Sequence, residues 1–460
     1  MTERDELHML KNMKAPMAAL LLFATSLSAR GVRNSDFRTA TPAELAMQSV
    51  PFAPGVPAVV LNWIQRRDDV AMYESEYLRI KVLAPEGKKY GDVEIPYISQ
   101  WTGAVAFEAR LTRPDGTIIP FNGKTYDKLA VRFGSIRVMV KTFSIPDVQP
   151  GSIIEYCSEV GLRYTPMHYT FTLQRDLPVL SAMLWIHPVN DPWLIDYRRL
   201  PQDVKKTKTR DTFQLDIQNI PPFEAEPYSL PDRELKAVAH FFYTDRDLKL
   251  DTFWLDKGRA WTPIIEDFIS GDVAPIHEAA QQAIALATTP EEKLRKLYAV
   301  AQRIRNLDYE SDKTEAEEKR LRENRSAQDV LRNGYGHSIE ITRLFIALAR
   351  SAGFEAHAVC IGSRRDGFFT KTLPSASQLD DEVALVRLDG KEIAIDAGTP
   401  MAPFATLAWQ KAPVPGLKLQ KKRDPEWIET PGLDATCARV VHKVALRVAG
   451  DAITSPGALR

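Results

Sequence analysis

Cysteine is scarce in this chain of 460 residues. The sequence holds three, Cys157, Cys360 and Cys437, which are too few for a disulfide framework or for a four-cysteine zinc site. Any cysteine chemistry would therefore have to use one of these three. Cys360 stands between Val359 and Ile361, and such an apolar context predicts a buried thiol rather than a nucleophile.

The chain also carries no formal net charge. The 60 Lys and Arg residues balance the 60 Asp and Glu residues, and there are 8 His. A nucleic-acid-binding protein usually has a basic surplus or a basic block, so the composition predicts no nucleic-acid partner. A hydrophobic content of 44% with 26% charged residues is typical of a folded protein. At about 150 residues per domain, this length suggests about three domains.

No segment has the 18 uninterrupted apolar residues expected of a membrane-spanning helix. Residues 17–27 form an apolar stretch of 11, preceded by Lys11 and Lys14 and followed by small residues. These are the parts of a secretory signal peptide. The sequence thus predicts a signal peptide over residues 1–30, a periplasmic or secreted location and no further transmembrane segment. The alternative is a short membrane-proximal or buried helix.

The region that follows has the pattern of a β domain. Between residues 77 and 188, short alternating runs are separated by turn residues such as those at 114–116 (Pro-Asp-Gly). Many short strands at about 10-residue spacing favour a β-sandwich or an open barrel. Residues 201–216 fit a charged hairpin at a sheet edge. We therefore predict a β-sandwich-like domain over residues 45–222, then a linker and helical connection over 223–285.

The second half combines helices with strands. Thr289 followed by Pro290 is typical of a helix start, and Gly353 is placed to end an apolar helix over residues 339–352. Three strands are predicted after that helix, at 355–361, 382–387 and 391–396. The pattern indicates an α+β domain.

Two features of this half bring polar residues together. A Gly-Tyr-Gly turn at 334–336 feeds the apolar helix, so the next side chains lie at the helix start, where the dipole is positive. Asp389-Gly390 predicts a two-residue hairpin that pairs Arg387 with Glu392 and Val383 with Asp396. In that register Asp381 lies on the same face as Asp396, diagonally across the strand pair. A helix-start residue and two strand residues facing one another form the arrangement of a catalytic triad.

These segments resemble a known family. NGYGHSIEITRLFIALARSAGFEAHAV resembles the nucleophile segment of bacterial transglutaminase-like domains, which belong to the papain-like superfamily, and QLDDEVALVRLDGKEIAIDAGT resembles their histidine and aspartate strands. GSIIEY and RLTRPDG are similar to a domain of unknown function that commonly precedes such domains. The resemblance implies an α+β fold, with a β-sandwich-like domain followed by a transglutaminase-like domain at 286–415. Relatives usually continue into a further β domain, so residues 416–460 are expected to be its incomplete start.

The resemblance also implies the site residues and their substitution. The family cysteine falls on Ser338, the family histidine on Asp381, and the third member is retained as Asp396. A serine hydroxyl needs a neighbouring base, and two close carboxylates raise one pKa and leave at best a weak base. We therefore predict a non-catalytic domain, without cofactor or metal, that binds or scaffolds an envelope peptide, protein or polysaccharide.

Several alternatives remain at this point. One is an amide hydrolase or acyl transferase that uses Ser338 with Asp381 and Asp396, and another is a structural envelope protein whose groove has closed. Ser338 could serve only as a helix N-cap, and the adjacent His337 could act as a local base. The acidic residues around Asp381 could instead bind Ca²⁺ through oxygen ligands. The residues of that hypothesis are Asp380, Asp381, Glu382 and Asp396.

Overall fold

The computed structural model describes residues 37–433, 447–449 and 452–454. Within the first range it leaves out short stretches at 134–135, 167, 190–191, 202–203, 245–247, 272, 311–319 and 366. The predicted signal peptide lies outside the described residues. Among the helices that are described, none is long and apolar enough to cross a membrane.

The N-terminal half is built almost entirely from strands. A short helix, α1 (Pro42–Ala46), comes first, and a second one, α2 (Asp232–Leu235), lies just before the last strand. The strands are β1 (Ala58–Asp68), β2 (Tyr73–Val82), β3 (Asp92–Ile98), β4 (Thr102–Thr112), β5 (Ile118–Pro120), β6 (Tyr126–Phe133), β7 (Ile136–Ser144), β8 (Ile153–Leu162), β9 (His168–Thr172), β10 (Val179–His187), β11 (Trp193–Arg198), β12 (Val204–Lys208), β13 (Phe213–Ile220) and β14 (Val238–Tyr243).

These strands form one large sheet and two small ones. The large sheet has the order β12-β13-β10-β1-β2-β8-β4-β5, and the small sheets have the orders β3-β7-β6 and β11-β14-β9. Side chains such as Leu78 and Leu184 of the large sheet share one core with Phe143 and Phe241 of the small sheets. Alternating side chains thus place one face of the large sheet against both small sheets. This arrangement confirms the predicted β-sandwich-like domain.

The charged hairpin also occurs where it was predicted. β12 pairs antiparallel with β13, for example Lys206 with Leu215, and β12 is an edge strand of the large sheet. Lysine at an edge strand discourages pairing with another chain.

The C-terminal half is the predicted α+β domain. Its helices are α3 (Phe253–Ser270), α4 (Val273–Ile284), α5 (Pro290–Ala301), α6 (Ala327–Asn333) and α7 (Ser338–Ser351). Its strands are β15 (Arg305–Asn306), β16 (Tyr335–Gly336), β17 (Ala356–Ile361), β18 (Asp381–Leu388), β19 (Lys391–Ile395), β20 (Pro415–Lys418) and β21 (Glu426–Glu429). Five of them form one sheet in the order β19-β18-β17-β20-β21. The apolar face of α7 packs on this sheet and on α3 to α6 in one core.

Two domain boundaries differ from the prediction. The segment taken as a helical connection contributes Trp254, Trp261 and Ile276 to the same core as α7, so α3 and α4 belong to the α+β domain. The sheet also continues past residue 415, because β20 pairs with β17 through Ile361 and Gly416. A Cβ at Gly416 would lie 2.6 Å from Val359 Cγ1, so glycine lets the two strands pair closely.

Beyond residue 433 the structure describes little. β22 (Arg447–Ala449) pairs with β23 (Ala452–Thr454) as a short hairpin. Most of the predicted C-terminal β region past residue 433 lies outside the described residues.

Candidate functional site

The start of α7 is set by the glycine turn that the sequence indicated. Gly334 ends α6 with a φ of +72°, a conformation that favours glycine. The next two residues form β16, which pairs in parallel with β15. His337 then takes the N-cap position, and its main-chain N–H donates to Glu340 Oε2 at 2.9 Å. Ser338 is thereby held as the first residue of α7.

The hydroxyl of Ser338 faces an amide. Asn306 Nδ2 donates to Ser338 Oγ at 3.1 Å and to the carbonyl of Gly398 at 2.6 Å. Among the described residues, neither Asp381 nor Asp396 forms a hydrogen bond with Ser338 Oγ. The interpretation of Ser338 as a helix N-cap is wrong, because His337 holds that position and the serine hydroxyl bonds to Asn306 instead.

The loop after β19 packs tightly on this helix start. A Cβ at Gly398 would lie 2.5 Å from the carbonyl oxygen of Ser338 and 2.9 Å from Thr342 Oγ1. The hydroxyl of Thr342 in turn donates to the Ser338 carbonyl at 3.0 Å. Since no side chain fits between them, the backbone that follows Asp396 fixes the position of Ser338.

The two aspartates lie together, as the hairpin register predicted. Arg387 pairs with Glu392 and Ala384 with Ile395 across β18 and β19, which is the predicted register. A lysine that the sequence analysis missed joins the two carboxylates. Lys411 Nζ lies 3.0 Å from Asp381 Oδ2 and 3.0 Å from Asp396 Oδ1.

This three-residue cluster is closed to solvent on its inner side. The side chains of Lys411, Asp396 and Asp381 are 2%, 0% and 20% exposed. Asp396 also accepts hydrogen bonds from the main-chain N–H groups of Thr399 at 3.0 Å and Ala408 at 3.3 Å. Both of its oxygens therefore have partners.

Burial and the neighbouring charges shift the pKa values of Asp381 and Lys411. Burial raises the pKa of Asp381, against the attraction of Lys411. The predicted direction is therefore observed, although burial rather than Asp396 is its largest cause. Burial also opposes the charge of Lys411, but attraction by Asp381 and Asp396 outweighs it and raises the pKa of Lys411. An ammonium that stays charged at neutral pH cannot take a proton from a serine.

A second carboxylate, also missed in the sequence, lies beside Ser338. Asp308 Oδ1 lies 2.6 Å from His337 Nδ1, and Asp308 Oδ2 accepts the main-chain N–H of Ser338 at 2.8 Å. Burial disfavours the charge of Asp308, but these two donors outweigh burial and lower its pKa to about 2. Asp308 therefore carries a negative charge beside the start of α7.

The acidic residues do not converge as the calcium hypothesis requires. Glu382 points to the opposite face of β18, where Arg343 Nε donates to it at 3.0 Å. Asp380 Oδ1 accepts the main-chain N–H of Ser363 at 2.7 Å, and burial raises the pKa of Asp380 to about 6. Lys411 lies between the other two carboxylates. The Ca²⁺ hypothesis is therefore wrong for this arrangement, and the part of the chain that the structure describes holds no other His, Cys, Asp and Glu group suited to a metal ion.

An exposed aromatic side chain lies close to Lys411 in sequence. Trp409, two residues before Lys411, is 56% exposed. Arg364 Nε donates to its carbonyl at 2.8 Å, and the guanidinium lies 6.0 Å from the indole ring. Cys157 and Cys360 are buried, and Cys437 lies outside the described residues.

Comparisons with known families assign both halves of the chain. Residues 68–224 match the family described as a domain of unknown function with solved structure, DUF3857. Residues 277–371 match the transglutaminase-like superfamily. The second match includes Ser338 and ends before Asp381 and Asp396, so their equivalence to triad positions remains a prediction.

Solved structures support the fold. A protein from Parabacteroides distasonis, described as a "putative protease", is 14% identical, with a TM-score of 0.55 over 82% of this chain and 72% of that one. Leukotriene A4 hydrolase from Saccharomyces cerevisiae, native and with bestatin, is 9% identical in both structures. Those two matches cover 49% of this chain and 36% and 35% of the hydrolase, with TM-scores of 0.22, too low to carry an argument. No curated protein matches the sequence. The chain thus carries a DUF3857 domain followed by a transglutaminase-like domain.

Proposed function

We propose that this chain is an exported, non-catalytic transglutaminase-like protein that binds a peptide or polysaccharide at the cell envelope. The observation that carries the proposal is the position of Lys411. Its ammonium lies 3.0 Å from carboxylate oxygens of both Asp381 and Asp396, the residues that stand where relatives have their base and its partner.

Such a site lacks the means to activate a serine. Asp381 is held in an ion pair, and the hydroxyl of Ser338 accepts a hydrogen bond from Asn306. A hydroxyl is a weak nucleophile until an adjacent base removes its proton. Loss of the nucleophile and base of a triad costs about 10⁴–10⁶ in rate, which leaves binding as the activity that the fold can retain.

The surroundings of the helix start suit a ligand. Ser338 and His337 are half-buried, and Asp308 is exposed. Trp409 has an exposed indole and follows Ala408, whose main-chain N–H donates to Asp396. An indole combines a large apolar surface with an N–H donor, and it stacks on sugar rings and on peptide groups. Because Trp409 is already exposed, binding would cover an apolar surface that folding leaves open.

Thermal shift with muropeptides and glycans tests this proposal. We expect one saturable ligand class that raises the melting temperature of the wild type and not that of Trp409→Ala. Tyr228→Ala is the matched control, because Tyr228 is fully exposed and lies on the linker before α2. Binding that survives Trp409→Ala and is lost in the control would contradict the proposed site.

One observation favours a second candidate function, a serine acyl hydrolase. Asp308 Oδ1 lies 2.6 Å from His337 Nδ1. In a Ser-His-Asp triad, a carboxylate orients the histidine in this way. In that case His337 Nε2 would be the base for Ser338. The candidate requires that His337→Gln abolish turnover as completely as Ser338→Ala does, and an unchanged rate in His337→Gln would exclude it.

Export is the remaining part of the proposal, and it is supported by the apolar stretch at residues 17–27 behind two lysines. Cell fractionation of a tagged full-length chain should recover the protein outside the cytoplasm. Leu21→Arg places a charge in that stretch and should retain the protein inside. Equal distribution of the two forms would contradict export.

A further inference from the structure

The face of the large sheet that points away from the sandwich core carries charged side chains that are fully buried. Arg79 and Lys81 of β2 are 1% and 0% exposed, and Glu155 of β8 is 0% exposed. Charges at such positions are rare unless they are paired. We call this surface, formed by Tyr77, Arg79, Lys81, Arg110 and Glu155, the outer face.

The cover of the outer face is the N-terminal segment of the chain itself. Residues 37–47, which we call the strap, lie across it. Arg79 Nη1 donates to the carbonyl of Arg38 at 2.9 Å, and Lys81 Nζ donates to the carbonyl of Leu45 at 2.8 Å. These are main-chain contacts, one to the residues before α1 and one to α1 itself.

Two strap side chains add to these contacts. Glu44 forms an ion pair with Arg79 at 3.1 Å. The ring of Phe37 lies 6.0 Å from the ring of Tyr77, and the guanidinium of Arg110 stacks on Phe37 at 4.7 Å. The outer face therefore contacts an aromatic side chain and, seven positions later in the strap, a carboxylate.

The charges of the outer face call for such a partner. Its three cations, Arg79, Lys81 and Arg110, face one carboxylate, Glu155, which is bound by both arginines. Among the residues that the structure describes, Lys81 donates to the carbonyls of Leu45 and Gly151, and burial lowers its pKa. Without the strap, the three cations would share only the carboxylate of Glu155 and would lose the carbonyl acceptors of Arg38 and Leu45.

We infer that the outer face is a peptide-binding site, and that the strap is its tethered ligand, which a segment of a partner protein with an aromatic residue and an acidic residue seven positions later can replace. This site lies in the DUF3857 domain and is separate from the start of α7, so it does not depend on the function proposed for the transglutaminase-like domain.

The connection of the strap to the sheet allows such an exchange. Its only helix, α1, has five residues, and isolated helices of that length are unstable in water. Residues 51–57, between the strap and β1, include Pro51, Pro54 and Pro57. The strap is thus joined to the domain by a short proline-rich connection and held by noncovalent contacts.

Fluorescence anisotropy with a labelled synthetic peptide of residues 37–50 tests the inference on the full chain. A short tether gives the strap an effective concentration on the order of millimolar, so the wild type should bind the peptide poorly. Phe37→Ala with Glu44→Ala weakens the strap and leaves the outer face intact. We expect this double variant to bind the peptide at least tenfold more tightly than the wild type does.

A peptide that carries the same two alanine substitutions is the matched control, and it should bind at least tenfold more weakly than the native peptide. Equal binding of both peptides, or no binding to a folded double variant, would overturn the inference. If the double variant does not fold, hydrogen exchange of the wild type decides. Strap amides that exchange at least tenfold faster than those of Arg79 and Lys81 support exchange of the strap, whereas exchange only together with β2 overturns it.

Discussion

Lys411 Nζ lies 3.0 Å from Asp396 Oδ1, with the two side chains 2% and 0% exposed. A cation therefore occupies the interior position beside the one triad residue that the resemblance to transglutaminase-like domains leaves unchanged. Because Asp381 shares the same ammonium, both carboxylates of the cluster are held in ion pairs with Lys411.

Removal of Lys411 should destabilise the protein strongly. Lys411→Ala leaves two neighbouring carboxylates without their cation, and the loss of one member of a buried ion pair costs about 3–5 kcal/mol. Urea unfolding measures the change. Lys128→Ala removes an exposed ion pair to Glu94, whose side chains are 53% and 55% exposed, and should cost at most about 1 kcal/mol. Equal losses in the two variants would contradict the structural role of Lys411.

A methyl group at Gly398 should displace the start of α7. In Gly398→Ala the new Cβ would meet the backbone of Ser338 at 2.5 Å, and such overpacking costs about 1–3 kcal/mol. Gly432→Ala is the control, because nothing lies within 4 Å of a Cβ there. A melting temperature that falls only in Gly398→Ala is expected, and an unchanged one would show that the loop does not press on Ser338.

Stability should fall in mild acid because of two histidines. Burial lowers the pKa of His168 to about 4 and that of His240 to about 3, with Arg233 adding to both effects. The Nε2 atoms of both rings are buried and have no hydrogen-bond partner among the described residues. Unfolded chains bind these protons below a pH of about 6.5 and the native protein does not, so the free energy of unfolding rises with pH in this range.

The expected slope is as much as about 1.4 kcal/mol per pH unit for each histidine between pH 4 and 6.5. Urea unfolding across this range measures it. His168→Gln with His240→Gln should flatten the profile, whereas His277→Gln, at an exposed position on α4, should leave it unchanged. A double variant whose profile has the same slope as that of the wild type would contradict the lowered pKa values of these two histidines.

Local signals in the sequence were sufficient for the elements that carry the site. Asp389 and Gly390 both adopt positive φ, at 49° and 80°, as a two-residue hairpin turn requires, and the register of β18 and β19 follows from that turn. Thr289 and Glu292 form the capping box that starts α5. Such features depend on neighbouring residues, and for that reason they could be predicted.

The contacts that decide the chemistry were not predictable in this way. Lys411 comes 15 residues after Asp396 in sequence, at the end of a 3-10 turn of three residues that is too short to show periodicity, and reaches the carboxylates only through the folded chain. Asn306 and Asp308 lie in or next to β15, a strand of two residues, which is too short to show a pattern. The strap was missed because its buried partners, Arg79 and Lys81, alternate with apolar residues as the solvent-facing residues of a strand do.

Turnover of glutamine peptides and simple amides by the wild type and by Ser338→Ala, measured side by side, tests the central claim most directly. If the transglutaminase-like domain is non-catalytic, both proteins should release ammonia at the rate of the buffer alone. A wild-type rate that exceeds the Ser338→Ala rate by tenfold or more would contradict that claim, because it would show that Ser338 acts as a nucleophile despite the ammonium between Asp381 and Asp396.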